Sequence, residues 1–345
     1  MVITETVLFV IGLVLLVKGS DFFVNSAVRI ANRLGVSEFV IGLTLIALGT
    51  SVPEMGAAIM ASFQHQSGIV MGNVLGSNIA NIGLIIGIVA VLWALKTNQQ
   101  MLERDGYIML FAAVLFYVFL FNGVVSRIEG AILLFLYVVY VLFVVETKSK
   151  LDHVYNFKDF VIYFFKFGYI RTTNRFLNQN NHEQREGNGK DTFFSDIVKD
   201  YCIVALSIVA IFCGAKFLVE GAVFFANLFH IPQTVIGLSL IATGTSLPEL
   251  GVTISAARKG LGNIVVGNII GSNIANIFLV AGVAGIISPL SVIKSTVMLS
   301  GPYMILMTLL FLVFIRSRWK VERIEAIIFL FLYAAFMGYI FLTTS

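Results

Sequence analysis

Residues 37–83 and 232–278 are two copies of one segment, aligned without a gap at an offset of 195 and identical at 26 of 47 positions. Each copy carries a helix-breaking run that ends in a glutamate: Ala47-Leu48-Gly49-Thr50-Ser51-Val52-Pro53-Glu54 in the first, Ala242-Thr243-Gly244-Thr245-Ser246-Leu247-Pro248-Glu249 in the second. Each then carries Gly-Asn-x-x-Gly-Ser-Asn, at 72–78 and 267–273, followed by Asn81 and Asn276. Scattered identities extend the match toward the start of each half: Gly19 with Gly214, Val24 with Val219, Asn32 with Asn227. The chain must therefore fold as two equivalent halves.

Those halves belong in a bilayer. Hydrophobic residues make up 58% of the chain and charged residues 12%, with a mean hydropathy of +0.94, more apolar surface than a water-soluble fold of this length can cover. The apolar runs are about 20 residues long, which suits helices crossing a hydrocarbon core of roughly 30 Å, whereas barrel strands are about half that length and alternate. Spans are expected at about 3–27, 38–63, 68–94, 106–122 and 128–145, then at 201–227, 234–257, 262–287, 293–315 and 324–343. The fold class expected is an all-α polytopic membrane protein of ten transmembrane helices. A repeat of five spans must enter the membrane in opposite senses in its two copies, so the halves are two inverted five-helix repeats with broken helices at the midplane. Residues 1–145 form the first half, 146–200 a connecting loop, and 201–345 the second, inverted half.

Charge placement orients the bundle. With both termini outside, the loops near 28–37, 95–105, 146–199, 258–260 and 316–323 are cytoplasmic and hold 19 of the 23 Lys and Arg residues. That bias accounts for the net charge of +4 without any nucleic-acid partner. In the connecting loop, 155–170 is apolar but too short to cross and reads as an interfacial helix, and 171–190 reads as a flexible linker. The N-terminus lacks a basic region before its first apolar run and reads as a first span, not a signal peptide. Lys18 and Asp21, within that span at i,i+3, read as a mutually satisfied or snorkelling pair in preference to an ion-path role. Cys202 and Cys213 lie eleven residues apart on one helix, roughly 16 Å, too far to bridge, and read as packing residues. The four histidines fall outside the duplicated motifs and offer no zinc site.

The duplicated motifs concentrate oxygen. Pro53 has no N–H and its ring clashes with the preceding turn, so with Gly49 beside it the helix breaks and its carbonyls lose partners. Such backbone is tolerated at membrane depth only where it is buried in protein or lines a cavity. Ala47, Thr50, Ser51 and Glu54 share one helical stripe, and Ser77 and Asn81 lie one turn apart. The second half contributes Ala242, Thr245, Ser246, Glu249, Ser272 and Asn276. Every donor is oxygen, which selects hard cations: calcium, sodium, magnesium or protons. Two carboxylates at one midplane site repel each other when empty, so they are filled by one divalent ion, by sodium ions or by protons, and that exclusivity is the basis of exchange. Asn73, Asn78, Asn268 and Asn273 bind either ions or free backbone ends. Gly72 and Gly76 form a small-xxx-small pair that lets another helix approach closely.

In these residues the chain resembles the cation/calcium antiporter superfamily, and within it the sodium/calcium exchangers of prokaryotic type. The paired Gly-Thr-Ser-x-Pro-Glu and Gly-Asn-x-x-Gly-Ser-Asn motifs carry the resemblance, which covers essentially the whole chain. It implies a calcium site from Glu54 and Glu249 with the backbone carbonyls of Thr50 and Thr245. It implies flanking sodium sites, one from Ala47, Ser51, Ser77 and Glu54, the other from Ala242, Ser246, Ser272 and Glu249. Asn81 and Asn276 close the repeated motif where many sodium/calcium exchangers have Asp in one half, which leaves the site at a formal charge of minus two. It also implies that spans one and six slide across the other eight helices to alternate access.

The function expected is calcium/sodium antiport across the cell membrane by a multi-pass protein, with calcium/proton antiport through the same glutamates as the alternative. Calcium, sodium or protons and the lipid bilayer are the expected partners, without cofactor and as a monomer. A channel would need a continuous pore. An enzyme would need a nucleophile or metal-ligand constellation that the motifs lack.

Overall fold

The structure, a computed structural model, describes residues 2–33, 47–97, 99, 101–148, 155–173, 190–291 and 294–344, and these are overwhelmingly helical. In chain order the first half holds α1 (Val2–Arg33), α2 (Ala47–Thr50), α3 (Val52–Phe63), α4 (Ser67–Leu92), α5 (Tyr107–Phe119) and α6 (Arg127–Lys148). The connecting loop holds α7 (Phe157–Phe165). The second half holds α8 (Lys190–Leu228), α9 (Gln233–Thr245), α10 (Leu247–Arg258), α11 (Gly262–Ile287), α12 (Lys294–Arg318) and α13 (Arg323–Thr344). Four two-residue strands, β1 (Leu95–Lys96), β2 (Val124–Val125), β3 (Leu290–Ser291) and β4 (Lys320–Val321), sit in the loops.

Among the described residues seven helices are long and apolar enough to cross a membrane, and α9 with α10, bent by 43°, makes an eighth. The expected spans at 38–63 and 106–122 fall short of that measure for different reasons. Residues 34–46 of the former lie outside the described residues. In the latter only Tyr107–Phe119 is α-helical, and it is preceded by a π-helical turn, Met101–Gly106, that carries Glu103, Arg104 and Asp105. Arg104 and Asp105, read from the sequence as part of a cytoplasmic loop, are in fact buried. The guanidinium grips the carboxylate in a fork, with Nε to Oδ1 at 2.9 Å and Nη2 to Oδ2 at 2.8 Å, and Nη1 donates to Thr147 at 3.1 Å. A fork of this kind satisfies both charges locally, which is why a helix can begin on them.

The duplication is written into the backbone. Ser51 (φ −88°, ψ 5°) and Ser246 (φ −83°, ψ 7°) break their helices in the same conformation. Gln66 and Leu261 open α4 and α11 at φ −91°, ψ 61° and φ −88°, ψ 58°. Both helices then loosen into a π turn at the motif's last asparagine, Asn81–Ile86 and Asn276–Val280. Two antiparallel ladders join the halves, β1 with β4 and β2 with β3. Each ladder ties two loops that the charge bias places on a common side of the membrane.

Packing between halves is close where glycine permits it. A Cβ on Gly72 would lie 2.3 Å from the Thr234 carbonyl oxygen, and one on Gly76 2.7 Å from that of Leu238, so α4 crosses α9 backbone to backbone. The longest pairing is α1 along α8, where a Cβ on Gly12 would meet Leu218 N at 2.8 Å and one on Gly214 would meet Leu16 N at 2.6 Å. Their outer faces leave Val7, Val10, Val14, Leu206 and Val209 exposed, a surface that suits lipid tails. Cys202 and Cys213 are exposed on α8, so they are not the packing residues the sequence suggests. Lys18 and Asp21 do pair, at 3.6 Å. The helix expected at 155–170 forms as α7, started by an Asn156–Asp159 capping box and seated through Phe160 on Phe143, ring centroids 5.4 Å apart. Most of the expected linker, 174–189, lies outside the described residues.

Candidate ion site between the two helix breaks

Each break is followed by a helix that carries a glutamate in its first turn. α3 and α10 begin at Val52 and Leu247, with proline in the second position, where its missing N–H costs no helical bond. Glu54 and Glu249 are therefore third in their helices, within the first turn, where the helix dipole favours negative charge. Both are buried, at 1% and 0% exposure.

Ser-x-Pro-Glu has the form of a capping box, yet neither Ser51 nor Ser246 caps its helix through its side chain. The hydroxyls are turned to other uses. Ser246 Oγ reaches across to the other half and donates to Glu54 Oε1 at 3.1 Å. Ser51 Oγ, buried, makes no hydrogen bond. Thr50 and Thr245 end α2 and α9 on the last residue before each break, and Ala47 and Ala242 lie one turn earlier. The Ala242 carbonyl accepts from Ser246 N–H at 3.1 Å. Thr50 Oγ1 and Ser272 Oγ lie 3.3 Å apart across the halves, beside Glu249.

Asparagines form the next layer. Asn73 Nδ2 donates to the main-chain oxygen of Glu54 at 3.2 Å, and its Oδ1 lies 3.3 Å from Thr245 Oγ1 and 3.5 Å from Ser77 Oγ. Asn78 donates to the Val74 carbonyl at 2.7 Å, so these two asparagines hold backbone. Asn268 donates to Thr253 Oγ1 at 3.4 Å. Asn81 Nδ2 donates to Asn273 Oδ1 at 2.9 Å, again across the halves. Asn276, at the equivalent position, engages neither its amide oxygen nor its nitrogen.

The twelve residues singled out from the sequence thus lie at the two breaks and on the two helices that cross them. The structure adds what hydropathy and motif matching could not: the π turns at Asn81 and Asn276, the bracing by Asn73, and an unequal division of hydrogen bonds. Glu54 has Ser246 on one carboxylate oxygen, whereas both oxygens of Glu249 lack a partner of ordinary hydrogen-bond geometry. Glu54 Oε2, Ser51 Oγ, Asn81 Oδ1 and Asn276 Oδ1 are likewise buried without a hydrogen-bond partner among the described residues. Buried oxygen left this way costs about 1–3 kcal/mol per group, and a hard cation is the partner that answers several at once.

A membrane-embedded bundle around a buried, oxygen-lined centre is the class of a cation-handling transporter. The family profile described as sodium/calcium exchanger protein matches residues 4–146 and 199–342, and the chain belongs to that family. It is 49% identical over 356 residues to the sodium/calcium exchanger MaX1 of Methanosarcina acetivorans, covering 99% of both chains. It is 32% identical over 344 residues to the putative antiporter CaxA of Alkalimonas amylolytica, again 99% of each. Its fold matches the solved sodium-calcium exchanger NCX_Mj, soaked with sodium and strontium, at a TM-score of 0.61 and 31% identity, over 98% of this chain and 99% of that one.

Proposed function

We propose that the protein is a secondary antiporter that exchanges calcium for sodium, with calcium held between Glu54 and Glu249. The cluster of buried, unpartnered oxygens on Glu54, Glu249, Ser51, Asn81 and Asn276 carries the reading, because it gathers ligands from both halves around two carboxylates. Calcium takes six to eight oxygen ligands, and the break carbonyls of Thr50 and Thr245 complete its set. Sodium binds at the flanks, through Ala47, Ser51 and Ser77 on one side and Ala242, Ser246 and Ser272 on the other, with Asn81 and Asn276 behind them. Two carboxylates neutralise one calcium, and sodium ions that crowd into the same oxygens displace it. The names of MaX1 and NCX_Mj support this choice of ions.

The architecture proposed is ten spans in two inverted halves, 1–145 and 201–345, with 146–200 between them; the two blocks matched by the family profile and the backbone repetition support it. Termini lie outside and the 146–200 loop in the cytoplasm, in keeping with loop charge. α1 and α8, packed along each other and largely exposed, slide as a pair to open the site to one side and then the other. The chain works as a monomer.

Radioactive calcium uptake into proteoliposomes tests the reading. Uptake driven by an outward sodium gradient, and lost in Glu54→Gln and Glu249→Gln, is the expected result. Uptake driven by a pH gradient without sodium would replace sodium with protons at the same glutamates. No gradient-driven uptake at all would end the proposal.

A further inference from the structure

A cleft of about 450 Å³ runs between α1 on one side and α2 and α10 on the other, room for a hydrated ion. Its floor includes Thr50, whose hydroxyl lies 3.3 Å from Ser272 and beside Glu249, and its far wall includes Pro248 and Gly251. Its near wall is α1, where Ser20, Asp21 and Asn25 stand among Val17 and Val24. Asp21 is half-exposed, and Lys18, the cation paired with it at 3.6 Å, does not line the cleft. Asp21 therefore lines the cleft while its counter-charge stands outside it.

A carboxylate within an apolar span is costly, and a half-exposed ion pair offsets little of that cost. The equivalent position on α8, 195 residues on, is Lys216, paired with Glu220 at 3.9 Å. The carboxylate thus stands at different positions on the two helices, Asp21 on α1 and Glu220, the counterpart of Asn25, on α8. Asp21 lies about one and a half turns before Ser26, where the apolar window of α1 ends, which places the cleft toward the cytoplasmic end of that helix in the proposed orientation.

We infer that Asp21 is a positioning residue that draws hydrated calcium into the cleft and passes it along Asn25 and Ser20 to Thr50 and Glu249. This rests on the exchange reading above. A negative charge at the mouth of a low-dielectric cleft raises local cation concentration, so its effect falls on the apparent affinity from one face and not on the turnover of the loaded site.

The test is calcium KM measured separately from each face of proteoliposomes containing the full chain, in wild type, Asp21→Asn, Asp21→Glu and Lys18→Gln. Asp21→Asn is expected to raise KM from the cytoplasmic face by about 5-fold, the size of one carboxylate acting through partly screened solvent, with the maximal rate and the opposite-face KM unchanged. Asp21→Glu restores the wild-type value, and Lys18→Gln leaves KM unchanged or lowers it. Raised ionic strength should weaken calcium uptake from that face in wild type and have little effect in Asp21→Asn. Equal shifts from both faces, no shift, or a Lys18→Gln phenotype that copies Asp21→Asn would overturn the inference and make the pair structural. Absence of sodium-driven exchange in the wild type would instead overturn the exchange reading itself.

Discussion

Ser246 donates to Glu54 at 3.1 Å across the boundary between the halves, and Ser51, its counterpart at the offset of 195, makes no bond to Glu249 or to any other described group. The two serines share sequence context and backbone conformation, so the difference lies in how the halves are set against each other. Under the exchange mechanism proposed above, in which the centre opens to one side at a time, such inequality is what a single conformation should look like.

The inequality separates two variants. Ser246→Ala removes a hydroxyl bonded to a buried carboxyl group and should lower ion-free stability by about 1–3 kcal/mol, seen as a fall in Tm in detergent. Ser51→Ala removes a hydroxyl with no partner and should leave the ion-free Tm nearly unchanged. Both should weaken sodium dependence of transport.

Glu54→Gln and Glu249→Gln each remove half of the site's formal charge. Loss of one partner from a buried charged centre costs about 3–5 kcal/mol, so calcium affinity by titration calorimetry should fall by roughly two to four orders of magnitude in either variant. A variant that binds calcium as wild type would show that its glutamate is not a ligand.

Gly72→Ala places a methyl group 2.3 Å from the Thr234 carbonyl, backbone that cannot swing aside. The forced separation of α4 from α9 should cost about 1–3 kcal/mol or more, and transport should fall with it. Gly338→Ala, where nothing lies within 4 Å, is the matched control and should be neutral.

Arg29 Nε binds Asp200 Oδ1 at 2.8 Å, tying α1 to α8 at one end, while the positions equivalent to these two are Phe224 and Glu5. Arg29→Gln should loosen that end only. Hydrogen exchange near Arg29 and Asp200 should quicken, while exchange near Val2 and Leu228, at the other end of the pair, stays as in wild type.

Much of this was legible beforehand because the duplication supplied its own control: a motif seen twice at one offset names the residues that lie at the two breaks and on the helices crossing them. Thr50, Ser51 and Glu54 with their counterparts could be read directly, since glycine and proline announce a helix break in any context. Asn73 could not be assigned between ion and backbone, because an amide serves both and only the packed neighbour decides. Arg104 and Asp105 looked like loop residues because hydropathy counts charges singly and cannot see a fork that neutralises itself. Cys202 and Cys213 looked buried because cysteine usually is, a rule drawn from water-soluble interiors that lapses where the outer solvent is lipid.

The strand ladders have a bearing on how the halves join. β1 and β3 occupy equivalent positions, β2 and β4 equivalent loops displaced by one residue, and each ladder pairs a strand of one kind with a strand of the other from the opposite half. A polypeptide of half this length therefore already owns both edges needed to clasp its own copy. In the inverted-repeat architecture proposed above, two such polypeptides would clasp each other edge to edge without the connecting segment 146–200.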